Sequence, residues 1–240
     1  MPTDGNMRGQ SGGSSSGLAQ ASTATIASII YVSASRHFAA RAESLDDLEA
    51  YDAADSAQRS AIETELQNVA LASVMMAYFS VEALLNEIFL AHSLGMIRNF
   101  RGLDASVAAR LSAGWDAGAR KLSPPEKADL ALVIADCKPL DWGAGTPQRF
   151  GRLHDLRNEL VHHKPRWVVH GNSGPESDNK LERQLHQQFS PTHIWKGRGV
   201  PFRWNGCLGG PCARWAHDTS VAFCAEVCKK LSIQLYWLKA

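Results

Sequence analysis

Residues 60–94 contain no glycine and no proline, and within them runs ELQNVALASVMMAYFSVEALLNEIFLAH, the stretch that most limits what this chain can become. An uninterrupted run of this kind predicts one long helix starting near Ser60. Around residues 75–90 its apolar side chains cover nearly the whole circumference, the pattern of a helix surrounded by other helices. Glu82, Asn86 and Glu87 interrupt it, so it does not read as a membrane span.

Neighbours for that helix are found on both sides. Ile26, Ile29, Ile30 and Phe38 recur near helical spacing within residues 22–42, and an acidic connection follows over residues 43–55. Residues 104–120 and 124–137 predict two shorter helices, the second opened by Ser123-Pro124-Pro125, a capping residue followed by proline. A loop over residues 139–147 leads to another helix, and residues 212–238 regain helical spacing through Trp215, Val221, Phe223, Val227, Leu231, Leu235 and Leu238. Residues 166–210 are rich in Gly, Pro, Asn and His, with only brief periodic pieces such as LERQLHQQF and one short apolar run, Trp167-Val168-Val169. The expected fold is all-α: a helical bundle with a long irregular insertion, residues 166–210, before its last helix. Residues 1–20, Gly/Ser-rich and almost without apolar side chains, read as a disordered tail, leaving residues 21–240 as one domain.

Composition narrows the function classes. Twenty-five Lys plus Arg stand against twenty-four Asp plus Glu, a formal charge of +1, which is not the balance of a dedicated duplex-DNA binder. No apolar run reaches the roughly 18 residues of a membrane span, and no charged-then-apolar signal opens the chain, so it reads as a soluble, cytoplasmic protein away from membranes. Five cysteines, an odd number, fit a reducing compartment better than a disulfide framework. Cys224 and Cys228 alone have a spacing suited to zinc, while Cys207 and Cys212 do not complete a site, so we expect buried thiols and no metal or other cofactor.

The helix expected to carry chemistry is RLHDLRNELVHHKP, residues 152–165. At about 100° per residue, Phe150, Leu153, Leu156, Leu160 and Val161 share one broad side, and Arg157 projects into it. A guanidinium there needs a partner or a pocket, because an unpaired buried charge costs several kcal/mol. Glu82 and Asn86, four apart on the long helix, are the candidate anchors, with Glu82 and Arg157 forming a buried pair and Asn86 or Asn158 completing the network. The bland alternative has Arg157 running along the stripe to water and Glu82 at a solvated gap. His162 and His163 end the helix just before Lys164-Pro165, with Asn158 and Glu159 four residues back as orienting partners. A cation at that end is also favoured by the helix dipole alone.

Arg157-Asn158, three further residues and His162 form an Arg-polar-x-x-x-His pattern that resembles the HEPN superfamily of all-helical domains, and SVEALLNE on the preceding long helix is similar to the Glu-containing helix of several HEPN-type families. The resemblance covers the helical body. It implies a metal-independent endoribonuclease, working as a homodimer that brings two motifs into one cleft, of a kind found in toxin–antitoxin, abortive-infection and anti-phage systems, with an antitoxin or defence partner. It assigns phosphate binding to Arg157, acid–base work to His162 or His163 and positioning to Asn158, and it equally embraces members that only dimerise or hold RNA. Beside the motif, Arg152, Lys164 and Arg166, and the run HIWKGRGVPFRW with Lys196, Arg198 and Trp204, mix cations with aromatics in a manner suited to unpaired bases and phosphates. Those aromatics suit pinning a long loop to the bundle equally well.

Overall fold

The computed structural model describes residues 26–162, 180–196 and 204–235, with the side chains of residues 204 and 205 left aside. Within these the chain is helical, and the one β-type pairing is an isolated bridge between Arg101 and Gln234. The all-α expectation therefore holds. The expected tail, residues 1–20, and the Trp167–Val169 run lie outside the described residues.

Three helices form the centre: α1 (Ala27–Leu45), α3 (Ser56–Leu90) and α9 (Gly210–Lys230), with the short α2 (Leu48–Ala53) between the first two. Helix α3 starts on a capping box, Asp55 receiving the Gln58 backbone N–H while the Gln58 side chain receives that of Asp55. The expected acidic connection is thus partly helical, because Asp47 caps α2 and Asp55 caps α3. Leu66, Val81, Leu84, Leu85, Ile88 and Phe89 are buried along α3, as its all-round apolar surface predicts. By length and composition this helix is able to cross a bilayer; 56% of its most apolar window is buried inside the bundle.

Helix α1 meets α3 differently from expectation. Its buried face is Ser28, Val32, Ser35, Ala39 and Ala42, whereas Ile30 is 57% exposed. Small side chains let the two helices approach closely. Ser35 Oγ donates to the Ser73 carbonyl at 3.2 Å and Ser73 Oγ returns a bond to the Ser35 carbonyl at 3.1 Å. Ser28 lies against Glu87 and Ser35 against Ser73, so α1 runs antiparallel to α3.

Around the far half of α3 pack α4 (Ala105–Ala117), capped by Asp104, and α5 (Pro124–Ile134), opened by a Ser123/Glu126 capping box with Pro124 in its first turn. Helix α6 (Gly145–Val161) carries the motif, and Phe150 fixes it to the bundle: its ring stacks on Phe223 of α9 at 4.1 Å and on Tyr78 of α3 at 6.1 Å.

Of the insertion expected over residues 166–210, residues 180–196 and 204–210 are described, and its longest described helix falls on the periodic piece LERQLHQQF. Its described part contains α7 (Lys180–His186), a 3-10 turn at His193–Trp195 and α8 (Trp204–Cys207), and it buries Leu185, Phe189 and Ile194. Asp46 at the end of α1 accepts the backbone N–H of Ile194 and that of Gly210, the first residue of α9, at 3.1 Å each. One buried carboxylate thereby ties the segment to the body and caps a helix whose own Gly209 has no side chain to do so.

Candidate functional site

Helix α6 presents two faces. Phe150, Leu153 and Leu156 enter the core as the stripe predicts and Leu160 packs against it partly buried, but Val161 is 45% exposed and does not continue the stripe. Arg157 is half-buried between these faces.

The guanidinium does not meet Glu82. The expected buried Glu82–Arg157 pair is not formed: among the described residues no carboxylate lies within ion-pair distance of Arg157. Glu82 is half-buried at the edge of an apolar hollow beside Tyr31 and Phe79. Asn86 is not part of the Arg157 network either, since its Oδ1 accepts from Lys127 Nζ of α5 at 2.8 Å. The carboxylate of α3 that is buried is Glu87, and its partner is Ser28. The misplacement has a simple cause: Glu82 and Glu87 lie 140° apart on the helix, and which of them faces a neighbour depends on where α1 docks.

Arg157 instead stands over the Tyr78 ring, 5.0 Å from its centroid, and donates through Nη1 to Asn158 Oδ1 at 3.1 Å. The Asn158 amide nitrogen lies 3.0 Å from His154 Nε2, and His154 Nδ1 lies 3.1 Å from the Tyr78 hydroxyl. Asn158 is thus paired one turn back, with His154, and not with His162 as expected. His154 and Tyr78 were not among the sequence candidates; the four-residue step from His154 to Asn158 is the signal that points to the pair. Burial pushes the His154 imidazole below its usual range, with the Asp155 carboxylate opposing. Burial also pushes the Tyr78 phenol up to about 12, Glu82 adding to the effect and Arg157 opposing it.

His162 ends α6 and is exposed, its backbone N–H still bonded to the Asn158 carbonyl at 2.9 Å. With Asn158, Arg152 and Gln148 of α6 and Lys180 and Gln184 of α7 it lines a groove of about 750 Å³, which Asp155 and Glu159 share. Arg152 has a buried Nε that meets no hydrogen-bond partner among the described residues. His163, Lys164, Arg166 and Arg198 lie outside the described residues, as does the Trp204 side chain. Lys196 is exposed but belongs to the corner where α1 ends: the adjacent Trp195 packs on Tyr51 at 5.9 Å, so this aromatic pins the segment to the bundle.

The cysteines behave as core side chains. Cys207, Cys212, Cys224 and Cys228 are buried, and burial pushes the Cys228 thiol up to about 12. Comparison of the chain with protein-family models, with curated proteins and with solved structures returns no match.

Proposed function

We propose that this chain is a HEPN-type endoribonuclease whose site is completed by a second copy of itself. The observation that carries the reading is the state of Arg157: a half-buried guanidinium, oriented by Asn158 and Tyr78, with no carboxylate to neutralise it among the described residues. A fixed positive charge of this kind suits a phosphate that gains negative charge as it becomes five-coordinate. His162, exposed at the end of the same helix, offers an imidazole nitrogen to take the proton of a ribose 2′-hydroxyl. The 2′-oxygen then attacks the adjacent phosphorus, the bond to the 5′-oxygen breaks, and the second copy's His162 returns a proton to that oxygen. The products are a 2′,3′-cyclic phosphate and a 5′-hydroxyl. Arg152 and Lys180 line the groove leading from the motif, where an RNA strand would lie. A role as a toxin or anti-phage effector, held by an antitoxin or defence partner, extends the same resemblance.

Asp155 and Glu159 on the same groove favour a second reading, a helical module that dimerises or holds a partner without cleaving. Purified protein on single-stranded and structured RNA, in the presence of a chelator, separates the two. Cleavage that falls by about 100-fold or more in both Arg157→Ala and His162→Ala supports the nuclease. Equal behaviour of wild type and variants, or dependence on a divalent metal, removes it.

A further inference from the structure

The orientation of the Asn158 amide follows from donors and acceptors alone. Arginine carries only donors, so the Asn158 atom 3.1 Å from Arg157 Nη1 is the oxygen. The amide nitrogen then faces His154 Nε2 at 3.0 Å, and an N–H pointing at a ring nitrogen requires a bare lone pair there. A neutral imidazole with a bare Nε2 has its proton on Nδ1, which faces the Tyr78 oxygen at 3.1 Å. Every bond in the series Arg157, Asn158, His154, Tyr78 is therefore donated in the same direction, away from the cation, and each polarises the next. The series closes on itself, because the ring of Tyr78 lies beneath the Arg157 guanidinium.

We propose that His154 is a positioning residue for this site, whose neutral form, protonated on Nδ1 and held by Tyr78, fixes the Asn158 amide so that its oxygen orients Arg157. This rests on the nuclease reading for its consequence in cleavage, though not for its geometry. A second proton on His154 Nε2 would oppose the Asn158 NH2 group. The amide would turn over, aim its nitrogen at the guanidinium, and leave two cations near one another. The charged groups around His154 are Asp155 and Arg157 on α6, Glu82 from α3 and Glu126 from α5, with the Tyr78 hydroxyl in contact. Burial outweighs the three carboxylates and keeps the ring neutral at neutral pH.

Two measurements on the full chain test this. Long-range proton–nitrogen correlation spectra, with the ring assigned by its disappearance in His154→Gln, are expected to show the Nδ1–H tautomer; the Nε2–H tautomer overturns the proposal whatever the protein's activity. The second measurement is the pH profile of RNA cleavage. Glutamine accepts from Asn158 through Oε1 and donates to Tyr78 through Nε2 but takes no proton. His154→Gln is expected to stay within about threefold of wild type at neutral pH and to convert a two-proton acid limb into a one-proton limb. His154→Ala, lacking both bonds, is expected to lose about tenfold or more throughout. An unchanged acid limb in His154→Gln overturns the proposal. If wild type cleaves no RNA at any pH, the nuclease reading fails while the tautomer alone decides the role of His154.

Discussion

Glu87 receives the backbone N–H of Ser28 at 3.0 Å and its hydroxyl at 2.6 Å, so the first turn of α1 is capped by a carboxylate 59 residues away. The residue at the local cap position, Ile26, has no side chain able to do this.

Removing that cap leaves buried donors unmet. Glu87→Ala is expected to cost about 1–3 kcal/mol of unfolding free energy, read from denaturant titration. Burial pushes the Glu87 carboxyl above its ordinary value, with Ser28's donors opposing. Because the folded state holds the proton more tightly, the contribution of this group is greatest below the ordinary carboxylate range and is lost as pH rises through the raised value. Glu87→Gln removes that dependence. Its stability relative to wild type should improve as pH is raised from about 4 to about 8; a difference that does not move with pH contradicts the assignment.

Asp46 serves two donors at once, Ile194 and Gly210. Asp46→Ala is expected to speed amide exchange at both positions and to lower stability by about 2 kcal/mol or more. Asp46→Asn keeps one acceptor oxygen and should protect one of the two amides. Exchange that changes elsewhere but not at Ile194 and Gly210 would refute this tie between insertion and body.

Phe223 is fully buried, with its ring 4.1 Å from that of Phe150. Phe223→Ala is expected to lower stability by about 3–5 kcal/mol, and Phe223→Leu by about 1.5 kcal/mol or less. Since Phe150 also stacks on Tyr78, the alanine variant should loosen the support beneath Arg157. A loss below about 1 kcal/mol for alanine would mean that the stack does not hold α6 in place.

Arg157→Ala breaks no ion pair, so its unfolding free energy should stay within about 1 kcal/mol of wild type. A buried Glu82–Arg157 pair would instead cost about 3–5 kcal/mol on truncation. Chemical denaturation of the Arg157→Ala and Glu82→Gln variants distinguishes these outcomes directly.

Local pattern accounts for much of this molecule. The absence of Gly and Pro over residues 60–94 is enough to predict α3, Ser123-Pro124 to predict α5, and the spacing of Phe150, Leu153 and Leu156 to predict the buried face of α6. These features act within one or two turns of helix, and their physics is complete in the neighbouring residues. The buried face of α1 was less legible, because Ser28, Ser35, Ala39 and Ala42 carry little hydrophobic signal and matter through the close approach they permit.

The chain's sequence by itself determined that helices form, roughly where they begin, and that Arg157, Asn158 and His162 share one of them. Only the tertiary structure decided which polar side chains are partners. Glu87 rather than Glu82 is buried because α1 docks on that side of α3, and His154 rather than His162 meets Asn158 because Tyr78 arrives from another helix. A hydrogen bond is settled by a few tenths of an ångström and by the direction of its donor, and both depend on packing between segments far apart in the chain.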